Sequence, residues 1–154
     1  MMRPRQTILT VIALALACAV VIGYKLAARW HSTDAILLPR PSCDPSVEDC
    51  TIPLPRGGQL KLSIAPRPVR ALQKLSLQVE ITGMKAEKVE IDFDGVDMSM
   101  GYNRPVLSGD GGKFSGQVTL PICVTGTMTW KATVVITTSN ERFAAPFHFE
   151  VAGR

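Results

Sequence analysis

The sequence predicts an all-β fold, an immunoglobulin-like antiparallel β-sandwich, preceded by one N-terminal transmembrane helix. Three observations carry this: an uncharged apolar run near the N-terminus, a proline-rich stretch after it, and then short segments in which apolar and polar residues alternate. At 154 residues the chain has room for one domain and an appendage, since domains usually run to about 100–150 residues. The cues divide it into 1–30 as the anchor, 31–58 as a Pro-rich stalk with a cysteine pair, and 59–154 as the sandwich.

The anchor begins with a basic head, Met1 to Gln6, followed by an uncharged run from Thr7 to Tyr24. Crossing the hydrocarbon core takes roughly 20 mainly apolar residues, and this run qualifies with Lys25, Leu26 and Trp30 at the interface. A cleaved signal peptide is the competing reading. Its apolar stretch would be shorter, about 7–15 residues, and would end in a small-x-small site. Leu16-Ala17-Cys18 loosely resembles a lipoprotein processing site, but Ala15 stands where a large aliphatic residue is usual. The length therefore favours a signal-anchor. Arg3 and Arg5 before the span keep the N-terminus in the cytoplasm. The expected location is thus the bacterial inner membrane, single-pass, with the C-terminal domain in the periplasm.

The stalk, His31 to Gly58, holds Pro39, Pro41, Pro45, Pro53 and Pro55. Proline fixes φ and lacks a donor, so this stretch favours extended backbone. Beyond Gly58 the period becomes two. Leu60, Leu62 and Ile64 alternate with polar residues, as do Leu75, Leu77, Val79 and Ile81, and then Val89, Ile91 and Phe93. Phe114, Val118 and Leu120 follow, then Met128, Trp130, Ala132, Val134 and Ile136, and last Phe147, Phe149 and Val151. Turn signals at Gly83, Asp94-Gly95, Ser108 to Gly112 and Thr138 to Asn140 separate them. Six or seven such strands with no helical period predict the sandwich; a cupredoxin-like or small-barrel topology reads similarly.

Net charge is +4, of which Arg3 and Arg5 supply two. The exported part has no clustered basic face, so a nucleic-acid partner is not expected. Cys18 lies in the span as a small apolar residue. Cys43, Cys50 and Cys123 lie outside it, where an oxidising compartment permits disulfides. A Cys43–Cys50 bridge is worth about 2.5 kcal/mol and a bridge to Cys123 about 4.4 kcal/mol, so loop entropy does not choose between them. Proximity favours Cys43–Cys50 and leaves Cys123 over, either as an inert buried thiol or as a thiolate ligand.

The chemistry-bearing pattern is methionine. In a strand, residues i and i+2 face the same way, so Met98 pairs with Met100 and Met128 with Trp130. Thioethers are soft ligands that suit Cu(I), and the Trp130 ring could cap such a cation. Cys123 and His148 are further candidate donors. The competing reading is core packing: Met98 and Met100 continue the parity of Val96, and Met128 and Trp130 begin that of Val134 and Ile136. Parity makes core the default. The position of Met100 before Gly101-Tyr102-Asn103-Arg104-Pro105, at a strand end where ligands are often displayed, favours metal.

Catalysis has little support. The only histidines are His31 and His148, and no nucleophile elbow, C-x-x-C, phosphate loop or H-E-x-x-H is present. Asp92, Asp94 and Asp97 lack calcium-loop spacing and read as turn and solubility residues. An enzyme is not expected.

Met98-x-Met100-Gly101-x-Asn103-Arg104 and Leu120-Pro121-x-Cys123-x-x-Gly126-x-Met128-x-Trp130, behind an anchor and a cysteine pair, carry a resemblance. The chain resembles a set of proteobacterial membrane-anchored periplasmic proteins, distantly similar to YtkA-like and FixH-like domains. That resemblance spans roughly Cys43 to Val151, and it departs from such domains in lacking histidine around Met98 to Pro105. It implies a β-sandwich linked to copper handling and cytochrome oxidase assembly, with the inner membrane and a respiratory oxidase or copper-handling protein as partners. Two functions therefore stand open. One is Cu(I) binding or delivery through Met98, Met100, Met128, Cys123 and Trp130. The other is a non-metal periplasmic protein-interaction domain, an envelope-assembly factor with core methionines. A thiol-redox role ranks third.

Overall fold

The computed structural model describes residues 12–23, 35–121 and 127–151. The chain divides into two compact units, Met1–Asp34 and Ala35–Arg154. In the first, residues 12–23 form a helix whose side chains are exposed. Among the described residues no helix is long and apolar enough to cross a membrane. The expected span, Thr7 to Tyr24, extends past both ends of this helix into residues outside the described set.

Alternating apolar residues build the second unit as one curled sheet of nine strands. These are β1 (Ile36–Leu37), β2 (Cys50–Pro53), β3 (Gln59–Ala65), β4 (Lys74–Ile81), β5 (Lys88–Gly95), β6 (Val106–Asp110), β7 (Lys113–Thr119), β8 (Met128–Thr137) and β9 (Arg142–Val151). Their order across the sheet is β1-β9-β8-β5-β6-β7-β4-β3-β2. All neighbours are antiparallel except β1 and β9. The short β6 joins the halves: Val106 and Leu107 pair with β5, whereas Ser108 to Asp110 pair with β7.

The inward rows of both halves meet in a single core. Leu60, Leu62, Ile64, Leu75, Leu77, Val89, Ile91, Phe93, Ala132, Val134, Ile136 and Phe147 are wholly removed from solvent. Burying each large apolar side chain is worth about 1.5–3 kcal/mol, which explains why the period-two pattern specifies the strands. The apolar rows of the alternating segments between Leu60 and Val151 are buried, with Leu120 in the core just past the end of β7, but Val96 and Met98 are exposed.

Two expectations are corrected. The stretch read as a stalk, 31–58, belongs to the β unit from Ala35 onward. Its inward residues Leu38, Cys50, Ile52 and Leu54 are buried, and the Leu38 N–H donates to the Ala144 carbonyl at 2.8 Å. Proline composition misleads here because edge strands tolerate proline; Pro53 ends β2, opposite Gln59. The strand count is also higher than six or seven. The added strands are β1 and β2 from that stretch and β6, which runs into the glycine-rich segment read as a turn and buries only Leu107.

Cys43 and Cys50 form a disulfide with their Cα atoms 5.8 Å apart. The loop it closes is ordered locally by Asp44, whose Oδ1 accepts from the Ser46 N–H at 2.8 Å and the Ser46 hydroxyl at 2.7 Å. Next to it Asp49 binds Arg67 at 2.6 Å and Lys61 at 2.9 Å, fastening the disulfide loop to β3 and the segment after it. The Arg67 guanidinium, then the Lys61 ammonium, hold the Asp49 carboxyl far below its usual range.

Candidate metal centre

β5, β7 and the return arm before β6 converge with the start of β8 at one end of the sheet. Gly95, the last residue of β5, pairs with Trp130, which in turn pairs with Phe149. The ladder closes with the Val96 N–H donating to the Thr129 carbonyl at 3.0 Å. The two sequence segments that carry the methionines therefore meet. After Val96 the chain leaves the sheet and returns along the other side of β5, where the Phe93 N–H donates to the Asn103 carbonyl at 2.9 Å and the Ile91 N–H to the Pro105 carbonyl at 3.1 Å. The Asn103 side-chain amide reaches the Thr119 carbonyl at the end of β7, at 3.5 Å.

This geometry corrects the parity argument for Met98 and Met100. They do not continue the strand but sit in the loop that follows it. The cause is Asp94. Its Oδ1 accepts from the Gly95 N–H and from the Met100 N–H, both at 3.0 Å, and so curls the chain back across β5. The Met100 N–H, followed by that of Gly95, holds the Asp94 carboxyl below its ordinary value against the opposing effect of burial. A second clamp stands on the return arm, where the Arg104 guanidinium donates to Asp92 Oδ2 at 2.7 Å. That contact raises Arg104 above its ordinary value.

Met98 is 46% exposed, Met100 is half-buried against the core, and Met128 is only 7% exposed. Gly95 is what lets Met128 and the loop approach one another. A Cβ built there would collide with Met128 Cε on one side and with the Met98 carbonyl oxygen on the other. Trp130 lies among the largest fully buried side chains, one inward position along β8 from Met128. Core packing thus accounts for Met128 and Trp130, and in part for Met100, but not for Met98. Cys123 lies outside the described residues, and the free cysteine among those described is Cys18.

His148 takes no part in this end of the core. It pairs with Lys131 and projects from the face opposite Trp130 and Phe149. Desolvation first, then the charges of Arg40 and Lys131, push its pKa down. Among the described residues no group of three or more His, Cys, Asp or Glu side chains could hold a metal ion. A hard-cation site formed by Asp92, Asp94 and Asp97 is therefore not found, because the first two carboxylates are committed to Arg104 and to backbone N–H groups. A cleft of about 230 Å³ near Arg56, Met84, Glu141 and Phe143 is lined by none of the methionine-site residues.

Sequence reasoning passed over Asp94 and Gly95 as elements of the site. The available signal was the Asp-Gly pair at the end of an alternating run, read only as a turn. The sequence matches no family model, and neither a curated protein nor a solved structure matches the chain.

Proposed function

We propose that the protein is a membrane-anchored periplasmic β-sandwich of immunoglobulin-like type. In this reading it binds Cu(I) through the thioethers of Met98, Met100 and Met128 and serves copper delivery or the assembly of a respiratory complex. Cys123 adds a thiolate to the set. The observation that carries the reading is Met98: a large apolar side chain, half exposed, on a loop fastened at both ends whose backbone closes on Gly95 where Met128 also packs. Soft, polarisable thioethers suit a soft monovalent cation better than a hard one. Trp130, buried in the core one inward position along β8 from Met128, supports that residue in this reading rather than capping the ion.

The test uses the full chain in detergent, kept anaerobic and loaded with Cu(I), against a chromophoric Cu(I) chelator of moderate affinity. Wild type should retain the ion, and the chain carrying Met98→Leu with Met100→Leu should release it. Equal release by both would sink the proposal.

A second reading has its own observation. Leu72, Val96 and Tyr102 are exposed, Tyr102 by 86%, and the Leu72 N–H ties its loop to the Leu120 carbonyl at 2.9 Å, next to the Thr119 carbonyl that Asn103 reaches. That apolar rim favours a protein-interaction domain. On this reading the same double substitution leaves activity in cells intact and stability within about 1.5 kcal/mol, as volume-conserving swaps do.

A further inference from the structure

We propose that Asp94 is the positioning residue of the methionine loop: it holds the backbone that carries Met98 and Met100 against the Gly95 end of β5 before any ion arrives. The inference rests on the Cu(I) reading and adds to it a residue that is not itself a ligand.

The argument starts from what a soft, weakly donating ligand set needs. A thioether contributes little charge, so its affinity depends on how much order must be created when the ion binds. A loop that is already folded avoids that entropic cost, whereas a slack one incurs it residue by residue. Residues 96–102 leave the ladder after the Val96–Thr129 bond and rejoin it at Asn103. Within that excursion Asp94 Oδ1 reaches over six residues to the Met100 N–H, while also holding the N–H of Gly95 at the root of the loop. One oxygen thus fixes both the point where the chain departs and the residue that bears a donor sulfur. Gly95, buried and without a side chain, lets the Met98 carbonyl close down on this junction. Met98 then lies between two fixed points, Val96 and Met100. Asp94 is itself anchored by β5, whose register with Lys131 on β8 is set by the core.

The prediction separates geometry from charge. Asp94→Ala removes the acceptor; Asp94→Asn keeps an acceptor oxygen but removes the charge. Asp97→Asn removes a neighbouring exposed charge and leaves the clamp alone. A hydrogen bond from a backbone N–H to a carboxylate is among the stronger ones, so Asp94→Ala should weaken Cu(I) affinity by about tenfold to a hundredfold. Asp94→Asn, whose acceptor oxygen is neutral, should recover about half of that loss on a logarithmic scale, and Asp97→Asn should match wild type.

The experiment is competition for Cu(I) against a chromophoric chelator with the full chain in detergent, paired with amide hydrogen exchange at Met100 in the metal-free protein. The Met100 N–H should be protected in wild type and Asp94→Asn, and exchange rapidly in Asp94→Ala. Unchanged affinity in Asp94→Ala, or an Asp94→Asn chain as weak as Asp94→Ala, overturns the positioning role. So does an unprotected Met100 N–H in wild type, a result that stands even if Asp94→Ala does not fold. A wild-type chain that holds no Cu(I) yet shows protected Met100 overturns the metal reading instead, so the two failures are distinguishable.

Discussion

Gly95→Ala is the sharpest probe of how the candidate site is built. Gly95 does not use the left-handed region, so alanine meets no backbone penalty there and any cost is steric. The added methyl meets two obstacles of different kinds. Met128 Cε is the end of a flexible side chain and can swing aside. The Met98 carbonyl cannot, because its loop is fastened by the Val96–Thr129 and Asp94–Met100 bonds. Overpacking of this sort costs about 1–3 kcal/mol, and alanine recovers roughly 0.4–1 kcal/mol by restricting the unfolded chain. The net expectation is a loss of about 1–2 kcal/mol, read as a lower urea midpoint with an unchanged m-value. Combining it with Met128→Ala should show favourable coupling of about 0.5–1 kcal/mol, since the methyl collision goes while the carbonyl collision stays. A neutral or stabilising Gly95→Ala would refute the close approach of Met128 and the loop, and with it the geometry of the site.

Two further outcomes follow from the opposite flank of the sheet. Cys43→Ser with Cys50→Ser should lower stability by about 2.5 kcal/mol, from the entropy of the short loop the bridge closes, measured by urea unfolding without reductant. Asp49, held below its usual value by Arg67 and Lys61, makes a contribution that is complete above the unfolded carboxylate value of about 3.9 and fades as pH falls below it. The sign follows from the unfolded chain binding more protons in that window. Because solvent reaches the carboxylate, Asp49→Asn should cost no more than about 1 kcal/mol near neutral pH, and its urea midpoint should approach that of wild type under acid conditions.

Strands with a strict apolar alternation were legible in the sequence because burial on one face dictates the period: β3, β4, β5, β7, β8 and β9 all show it. β6 was not, because it trades partners midway and buries a single side chain, so it leaves no alternation to read. β1 and β2 were hidden by proline, which marks extended backbone without telling a tether from an edge strand. At the site, the grouping of Met98 with Met128 was readable only as a condition, that the two segments meet; their meeting depends on pairing between strands far apart in sequence. The place where β5 ends was misread for a different reason. Parity carries no information about a side chain such as Asp94 that captures the backbone six residues on.

The edges of the curled sheet have one source. β1 is the outermost strand on one side and β2 on the other, and both come from the stretch between Ile36 and Pro53. Open edges invite pairing with foreign strands, and here a single length of chain, knotted by Cys43–Cys50 and stitched by Asp49, works as a clasp that fastens the two together. A pull from the N-terminal side reaches β1 first, whose parallel pairing with β9 spans two residues, and then passes through the disulfide to Cys50, the first residue of β2. Tension is therefore taken up first by a short sacrificial strand and is then handed through the covalent bridge to β2, so that the loop between the two cysteines is bypassed.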